Sequence, residues 1–134
     1  MLKELELYLT GEMIDDYWYD SALFICEDIL RGMSNNEWSE LINDIPTLSN
    51  ISRIRLAECL GEINNKYETD CLVRLINTKN DDLFVACIDS LRGMDLKTIS
   101  SLNQEYILNR INDLLVTASA PVKMVLEEYI KKLM

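Results

Sequence analysis

Apolar residues recur at three- and four-residue steps through most of the chain, which predicts helices. The pattern is clearest between Ser52 and Ile63, where one stripe is formed by Ile54, Leu56, Ala57, Leu60 and Ile63. Gly61 lies near the end of this stripe, a position typical of a helix C-terminus. The alternation expected of strands is weak outside residues 2–9, which suit a short helix or a strand-like arm. The sequence therefore predicts an all-α protein.

The stretch 52–63 has related copies about thirty residues earlier and later. Segments 21–33 and 82–94 both end in Leu-Arg-Gly-Met. The helices between them also repeat, since a shift of 31 residues relates two apolar triplets: Leu41, Ile42 and Ile45, and Leu72, Val73 and Ile76. Helix pairs with a period of this size indicate a stacked array.

Capping signals give the approximate bounds of the helices. Ser34 and Glu37 form a capping-box pattern, and Pro46 ends the helix that they begin. A second capping box is predicted at Ser101 and Gln104. We expect the main helices over residues 15–31, 34–45, 50–63, 69–77, 82–93, 101–115 and 119–134.

The residues Ile-Arg-Leu-Ala-Glu-Cys-Leu-Gly at 54–61 resemble the HEAT-like repeat, in which a valine-arginine pair precedes small residues and Leu-Gly. Segment 81–94 is similar but has Phe84 and a terminal Arg-Gly. The resemblance implies a short α-solenoid of about three HEAT-like helix pairs, with end helices at both termini and the second helices on the concave side. In this interpretation residues 1–134 form one domain, with repeats at 15–46, 50–78 and 81–116 and an end helix at 119–134.

The acidic residues are concentrated in the first third of the chain. The net charge is −10, and residues 1–50 hold eleven Asp and Glu against two Lys and Arg. Such a field repels nucleic acid and anionic membranes and favours a basic protein partner. The alternative is that the acidity serves only solubility.

Little in the sequence suggests catalysis. Histidine is absent, which removes the commonest general base and metal ligand. The four glycines are scattered and form no phosphate-binding loop. The carboxylate pairs at 15–16, 81–82 and 127–128 are better explained as helix N-termini or solvated faces. We therefore expect a non-enzyme with no cofactor and no metal.

The four cysteines contain no CxxC pair, and three of them lie on apolar helical faces. Free buried thiols are the simplest interpretation, and they fit a reducing cytoplasm. The first residues lack a secretory signal core, and no apolar run is long enough to span a bilayer. We expect a cytoplasmic protein.

Residues 12–20 combine three of the ten aromatic residues of the chain with four acids. Aromatic residues are enriched at binding hot spots, and clustered acids steer a cationic partner. The segment also suits an N-terminal cap in which Trp18 and Tyr19 cover the core and only Tyr17 is exposed. With the acids of the second helices, the candidate partner-binding residues are Asp15, Asp16, Tyr17, Asp20, Glu37, Glu40, Asp44, Glu68 and Asp70.

Three functions remain open at this point. By type, a small acidic helical protein resembles the immunity proteins that neutralise bacterial toxins, including those of contact-dependent inhibition systems. This resemblance implies one-to-one binding of a basic toxin domain, such as a nuclease. The alternatives are a HEAT-like scaffold or adaptor in a cytoplasmic complex, and an accessory related to the HEAT-like bilin lyases, for which no tetrapyrrole pocket signature is present.

Overall fold

A computed structural model describes all residues from Met1 to Met134 and contains helices without any strand. Residues 3–10 are helical, so the strand-like arm is not formed. A π-helical segment spans Trp18–Ala22, and a 3-10 turn spans Ile45–Thr47. The α-helices are α1 (Lys3–Thr10), α2 (Asp15–Tyr17), α3 (Leu23–Arg31), α4 (Asn35–Asp44), α5 (Asn50–Cys59), α6 (Lys66–Ile76), α7 (Asp81–Leu91), α8 (Leu96–Ser100), α9 (Gln104–Leu115) and α10 (Ala120–Leu133).

Short polar side chains begin most of these helices, because they accept hydrogen bonds from backbone N–H groups that the first turn leaves free. The predicted capping box of Ser34 and Glu37 is present in both directions. The box predicted at Ser101 is wrong, since Asn103 caps α9 and the Gln104 amide instead donates to the Ile99 carbonyl at 2.5 Å. The side chains that accept such bonds are Ser34, Ser49, Asn65, Asn80, Asp95 and Asn103.

The buried apolar side chains form one contiguous cluster of 27 residues, which extends from Leu5 in α1 to Tyr129 in α10. Helix α7 lies at its centre, in contact with α5, α6 and α10. Helix α5 also packs on α3 and α1, and α4 packs on α6. The first helices of the three predicted pairs, α3, α5 and α7, are therefore neighbours in chain order.

The repeated tetrapeptide Leu-Arg-Gly-Met produces the same local contact twice. In α3 the Arg31 guanidinium pairs with Asp28 at 3.2 Å, and just after α7 Arg92 pairs with Asp89 at 2.7 Å. Each arginine lies three residues after its aspartate, on the same side of the helix. The sequence repeat is thus also a repeat of side-chain geometry.

Helix α5 ends at Cys59, four residues before the end of its apolar stripe. Leu60 is extended, and Gly61 adopts a φ of +112°, which an L side chain rarely adopts. A Cβ atom on Gly61 would lie 3.0 Å from the Ser90 carbonyl oxygen. The close approach of α7, whose Ser90 hydroxyl donates to the Ala57 carbonyl at 2.6 Å, therefore sets the point at which the chain leaves α5.

The cysteine expectation is confirmed, because all four thiols are free and buried. Burial raises the pKa of Cys71 to about 12 and raises that of Cys87 further. These thiols therefore stay protonated and unreactive at neutral pH.

Candidate functional site: an acidic groove across α3, α5 and α7

A groove of about 620 Å³ crosses α3, the end of α5 and the end of α7, with one residue of α10 at its edge. Its lining combines carboxylates with apolar and aromatic side chains. The residues that line it are Tyr19, Leu23, Phe24, Glu27, Glu58, Leu60, Gly61, Glu62, Asp89, Ser90, Arg92, Gly93 and Glu128.

Helices α3, α5 and α7 each contribute one carboxylate to this groove. Glu27, Glu58 and Asp89 are separated by a constant 31 residues, the same interval that relates the second helices. Because α3, α5 and α7 are neighbours in that order, equivalent positions form a column across the groove. Three of the five groove acids therefore occupy equivalent positions of the sequence repeat.

The Glu58 carboxylate is held by two aromatic side chains. Trp18 Nε1 donates to Oε1 at 3.2 Å, and the Tyr19 hydroxyl donates to Oε2 at 2.6 Å. Burial raises the pKa of Glu58, and the nearby Asp89 carboxylate adds to this, while the two hydrogen bonds act in the opposite direction. The bond to Glu58 is in turn the main cause that raises the pKa of Tyr19 to about 12.

The π-helical segment carries both of these donors. π-Turns are rare and occur frequently at functional sites. Here the consecutive residues Trp18 and Tyr19 reach the same carboxylate, yet only Trp18 is buried, whereas Tyr19 is 51% exposed. The expectation that both rings cover the core is wrong for Tyr19, which faces the groove.

Arg55 contacts both Trp18 and the end of α1. Its guanidinium lies over the Trp18 ring at 5.3 Å from the centroid. The Nη1 atom also donates to three carbonyls at the end of α1, those of Tyr8, Leu9 and Gly11, at 3.2, 3.1 and 2.7 Å. These contacts fix Trp18, and through it Glu58, against the body of the protein.

The charge of the groove is only partly compensated. Its five carboxylates face one guanidinium, that of Arg92, which pairs with Asp89 and Glu128. Glu27 pairs with Arg31 at 3.4 Å from outside the groove, and burial, with the charge of Glu62, raises its pKa. The two remaining groove acids, Glu58 and Glu62, form no ion pair.

An aromatic wall stands beside these acids. Phe24 is 57% exposed, and Tyr19 lies five residues earlier on the same continuous helix. Aromatic side chains are enriched at the centres of protein interfaces. The groove therefore offers ring faces and carboxylates in the same concave surface.

The partner-binding residues predicted in the segment 15–20 are not part of the lining of this groove. Asp15, Asp16, Tyr17 and Asp20 are all exposed, and Tyr17 is 44% exposed. The Asp15 charge acts on the Tyr19 hydroxyl, which places it within electrostatic reach of the groove. These residues are available to a partner, as the sequence predicts.

The three acids predicted on α4 have contacts within the chain. Glu37 accepts a hydrogen bond from the Ser34 backbone N–H and so completes the cap of α4. Asp44 and Glu40 bind the amino group of Met1 at 2.9 and 3.6 Å. Each of the three therefore already contributes to holding the N-terminal part of the fold.

Glu68 is not on a surface, and the expectation that it is accessible is wrong. Its side chain is buried, with 1% exposure, and it accepts hydrogen bonds from the backbone N–H groups of Gly61, Ile63 and Asn64. The loop between α5 and α6 closes around this carboxylate, whose oxygens accept the hydrogen bonds that the loop N–H groups would otherwise donate to water. Asp70, two residues later, is exposed as expected.

Several groove residues are not among those predicted from the sequence, namely the acids Glu27, Glu58, Glu62, Asp89 and Glu128 and the Phe24 ring. A signal for three of them is present, because acids recur at positions 27, 58 and 89 on otherwise apolar repeat helices. Glu62 and Glu128 are brought to the groove by the α5–α6 loop and by the packing of α10 on α7, which no local pattern encodes.

Comparisons with protein-family models, with curated proteins and with solved structures find no significant match to this chain. No three potential ligand side chains converge in a way that could hold a metal ion. No helix combines the length and apolar character that crossing a bilayer requires. The groove itself presents carboxylates and aromatic rings, the two kinds of side chain that contact cations.

Proposed function

We propose that this chain is an acidic binding protein that neutralises a basic protein partner, with the groove across α3, α5 and α7 as its main contact surface. The observation that carries the proposal is the column of Glu27, Glu58 and Asp89 beside the exposed rings of Tyr19 and Phe24. Carboxylates steer and orient a cationic partner, and aromatic side chains supply the apolar contact area at the centre of an interface.

The partner that suits this surface best is a bacterial toxin domain, bound one-to-one by a cytoplasmic immunity protein. Toxin nucleases have cationic clefts that an acidic surface can block. The resemblance of residues 54–61 to HEAT-like repeats adds support, since helical arrays of this kind present continuous binding surfaces. The neighbouring first helices and the contact of α4 with α6 are compatible with such a stacked array.

A second candidate is an adaptor that binds through an apolar surface. A pocket of about 340 Å³ lies between α6 and α9, and Val73 in its wall is 45% exposed. Its apolar lining is completed by Ile76, Leu102, Tyr106 and Ile107. Binding at this pocket would depend little on salt, which distinguishes it from binding at the acidic groove.

Growth rescue tests the proposal directly. The chain is expressed together with any toxin domain that is encoded beside its gene, and survival is compared with a strain that lacks the chain. The two purified proteins are then mixed, and we expect a one-to-one complex whose association rate falls as the salt concentration rises.

The adaptor is tested with the same proteins. Absence of rescue together with absence of a complex contradicts the neutralising function. A complex that is insensitive to salt and is lost in Val73→Asp supports the adaptor instead.

A further inference from the structure

The groove contains one guanidinium of the chain itself, and its contacts show which ligand chemistry the surface accommodates. Arg92 lies between Asp89 of α7 and Glu128 of α10 and bonds to both carboxylates. The carboxylates of Glu58 and Glu62 line the same groove and have no such partner. A second guanidinium would complete on this side the pairing that Arg92 makes on the other.

The ring wall beside Glu58 and Glu62 favours a planar cation. Elsewhere in the chain, Arg110 lies over the Phe84 ring at 4.8 Å from the centroid while it pairs with Asp81 at 2.9 Å. Guanidinium groups stack on aromatic faces and bond to carboxylates in the same plane, whereas a lysine ammonium is a compact, strongly hydrated charge. Exposed rings next to unpaired carboxylates offer this combination to a group from outside.

We infer that the groove receives an arginine side chain of the basic partner, with its guanidinium against Tyr19 and Phe24 and paired with Glu58 and Glu62. This inference rests on the proposed function, because it specifies how the basic partner is held. The Tyr19 and Trp18 hydrogen bonds fix the Glu58 carboxylate in advance, so little side-chain freedom is lost when the guanidinium binds.

A titration without the protein partner tests this pocket. N-acetyl-arginine methylamide is added to the full chain, and backbone and aromatic NMR shifts are followed. The neutral isostere N-acetyl-citrulline methylamide and the lysine analogue serve as matched ligands. We expect saturable shifts around Tyr19, Phe24, Glu58 and Glu62 with the arginine analogue, weaker shifts with lysine and none with citrulline.

Charge-neutral variants show whether the groove carboxylates bind the guanidinium. Glu58→Gln and Glu62→Gln should each lower the affinity for the arginine analogue by up to about fivefold. This factor is the upper range for the loss of one exposed charge pair. The control is Asp113→Asn, which makes the same charge change at an exposed position of α9 and should leave binding unchanged.

Three results would overturn the inference: equal binding of lysine or citrulline, shifts spread evenly over the acidic surface, and the absence of a saturable shift. Its failure is distinguishable from failure of the proposed function. If the arginine analogue does not bind but the toxin domain still forms a salt-dependent complex, only the arginine pocket is wrong. If no complex forms with the toxin domain, the neutralising function itself is wrong, whatever the analogue does.

Discussion

Two glutamates ten residues apart have opposite roles in this molecule. Glu68 is buried and accepts hydrogen bonds from three backbone N–H groups of the α5–α6 loop. Its carboxylate therefore stabilises the fold and is not accessible to a partner. Glu58 accepts hydrogen bonds from two side chains, Trp18 and Tyr19, and lines an open groove. The difference shows that the hydrogen-bond donors around a carboxylate, and not its place in an acidic stretch, decide whether it is accessible to a partner.

Removing the buried carboxylate should have the largest effect on stability. Glu68→Ala leaves three loop N–H groups without an acceptor, and each unsatisfied buried group costs about 1–3 kcal/mol, so we expect a loss of about 3 kcal/mol or more. The control Asp70→Ala changes an exposed acid and should stay within about 0.5 kcal/mol. Urea unfolding followed by circular dichroism measures both, and equal losses would contradict the assignment of Glu68 to the fold.

The glycine that donates to Glu68 should be the next most sensitive position. Gly61→Ala places a Cβ atom 3.0 Å from the Ser90 carbonyl oxygen at a φ of +112°, and we expect a cost of about 1–3 kcal/mol. Gly93→Ala is the matched control, since its nearest neighbour, also the Ser90 oxygen, is 3.7 Å away. Similar thermal melting of the two variants would show that the close approach of α7 to this loop does not matter.

The groove carboxylate Glu58 should affect the pH dependence of the free energy of unfolding more than the magnitude of that free energy. Burial raises the pKa of Glu58 above its ordinary value of 4.5, so the folded state binds the proton more tightly than the unfolded state. The free energy of unfolding should therefore fall as pH rises through the interval just above 4.5. Glu58→Gln lacks this ionisation and should show a flatter slope, although Glu27, whose pKa is also raised, remains in both proteins.

Unfolding curves at several values from about pH 4 to about pH 7 provide the comparison between the wild type and Glu58→Gln. Parallel pH profiles would mean that the environment of Glu58 does not disfavour its charge. The affinity for a cation should show the opposite trend with pH. Binding needs ionised Glu58, so the affinity should fall as pH falls through the raised pKa of Glu58.

The smallest effect is expected in the exposed segment 15–20. The double variant Asp16→Asn with Tyr17→Ala changes two exposed residues and should alter stability by no more than about 0.5 kcal/mol. It should slow association with the basic partner, because charges outside the centre of an interface act mainly on the association rate. A sharp drop in melting temperature with unchanged kinetics would make this segment a cap alone.

Local patterns predict the helices of this chain well. The N-terminus of the helix at Asp15, the capping box at Ser34 and the buried cysteines are all as expected, because each depends on neighbours within a few residues. The early end of α5 and the cap at Asn103 are not predicted. The first depends on the approach of α7, and the second on a choice between two competing side chains.

The site is harder to predict than the fold. Composition places the acidity in residues 1–50, whereas the groove takes four of its five carboxylates from later in the chain. The 31-residue spacing of Glu27, Glu58 and Asp89 is visible in the sequence, but its meaning depends on which helices are neighbours. Only the tertiary arrangement shows that Glu68 faces inward and Glu58 faces the groove.

We expect the groove, and not acidity in general, to bind the basic partner. Two double variants with equal charge change test it: Glu58→Gln with Glu62→Gln in the groove, and Glu105→Gln with Asp113→Asn on exposed positions of α9. We expect the groove pair to lower the affinity for the toxin domain at least about tenfold, mainly through faster dissociation, and the α9 pair to change it less than about twofold. Equal losses from the two pairs would contradict this expectation.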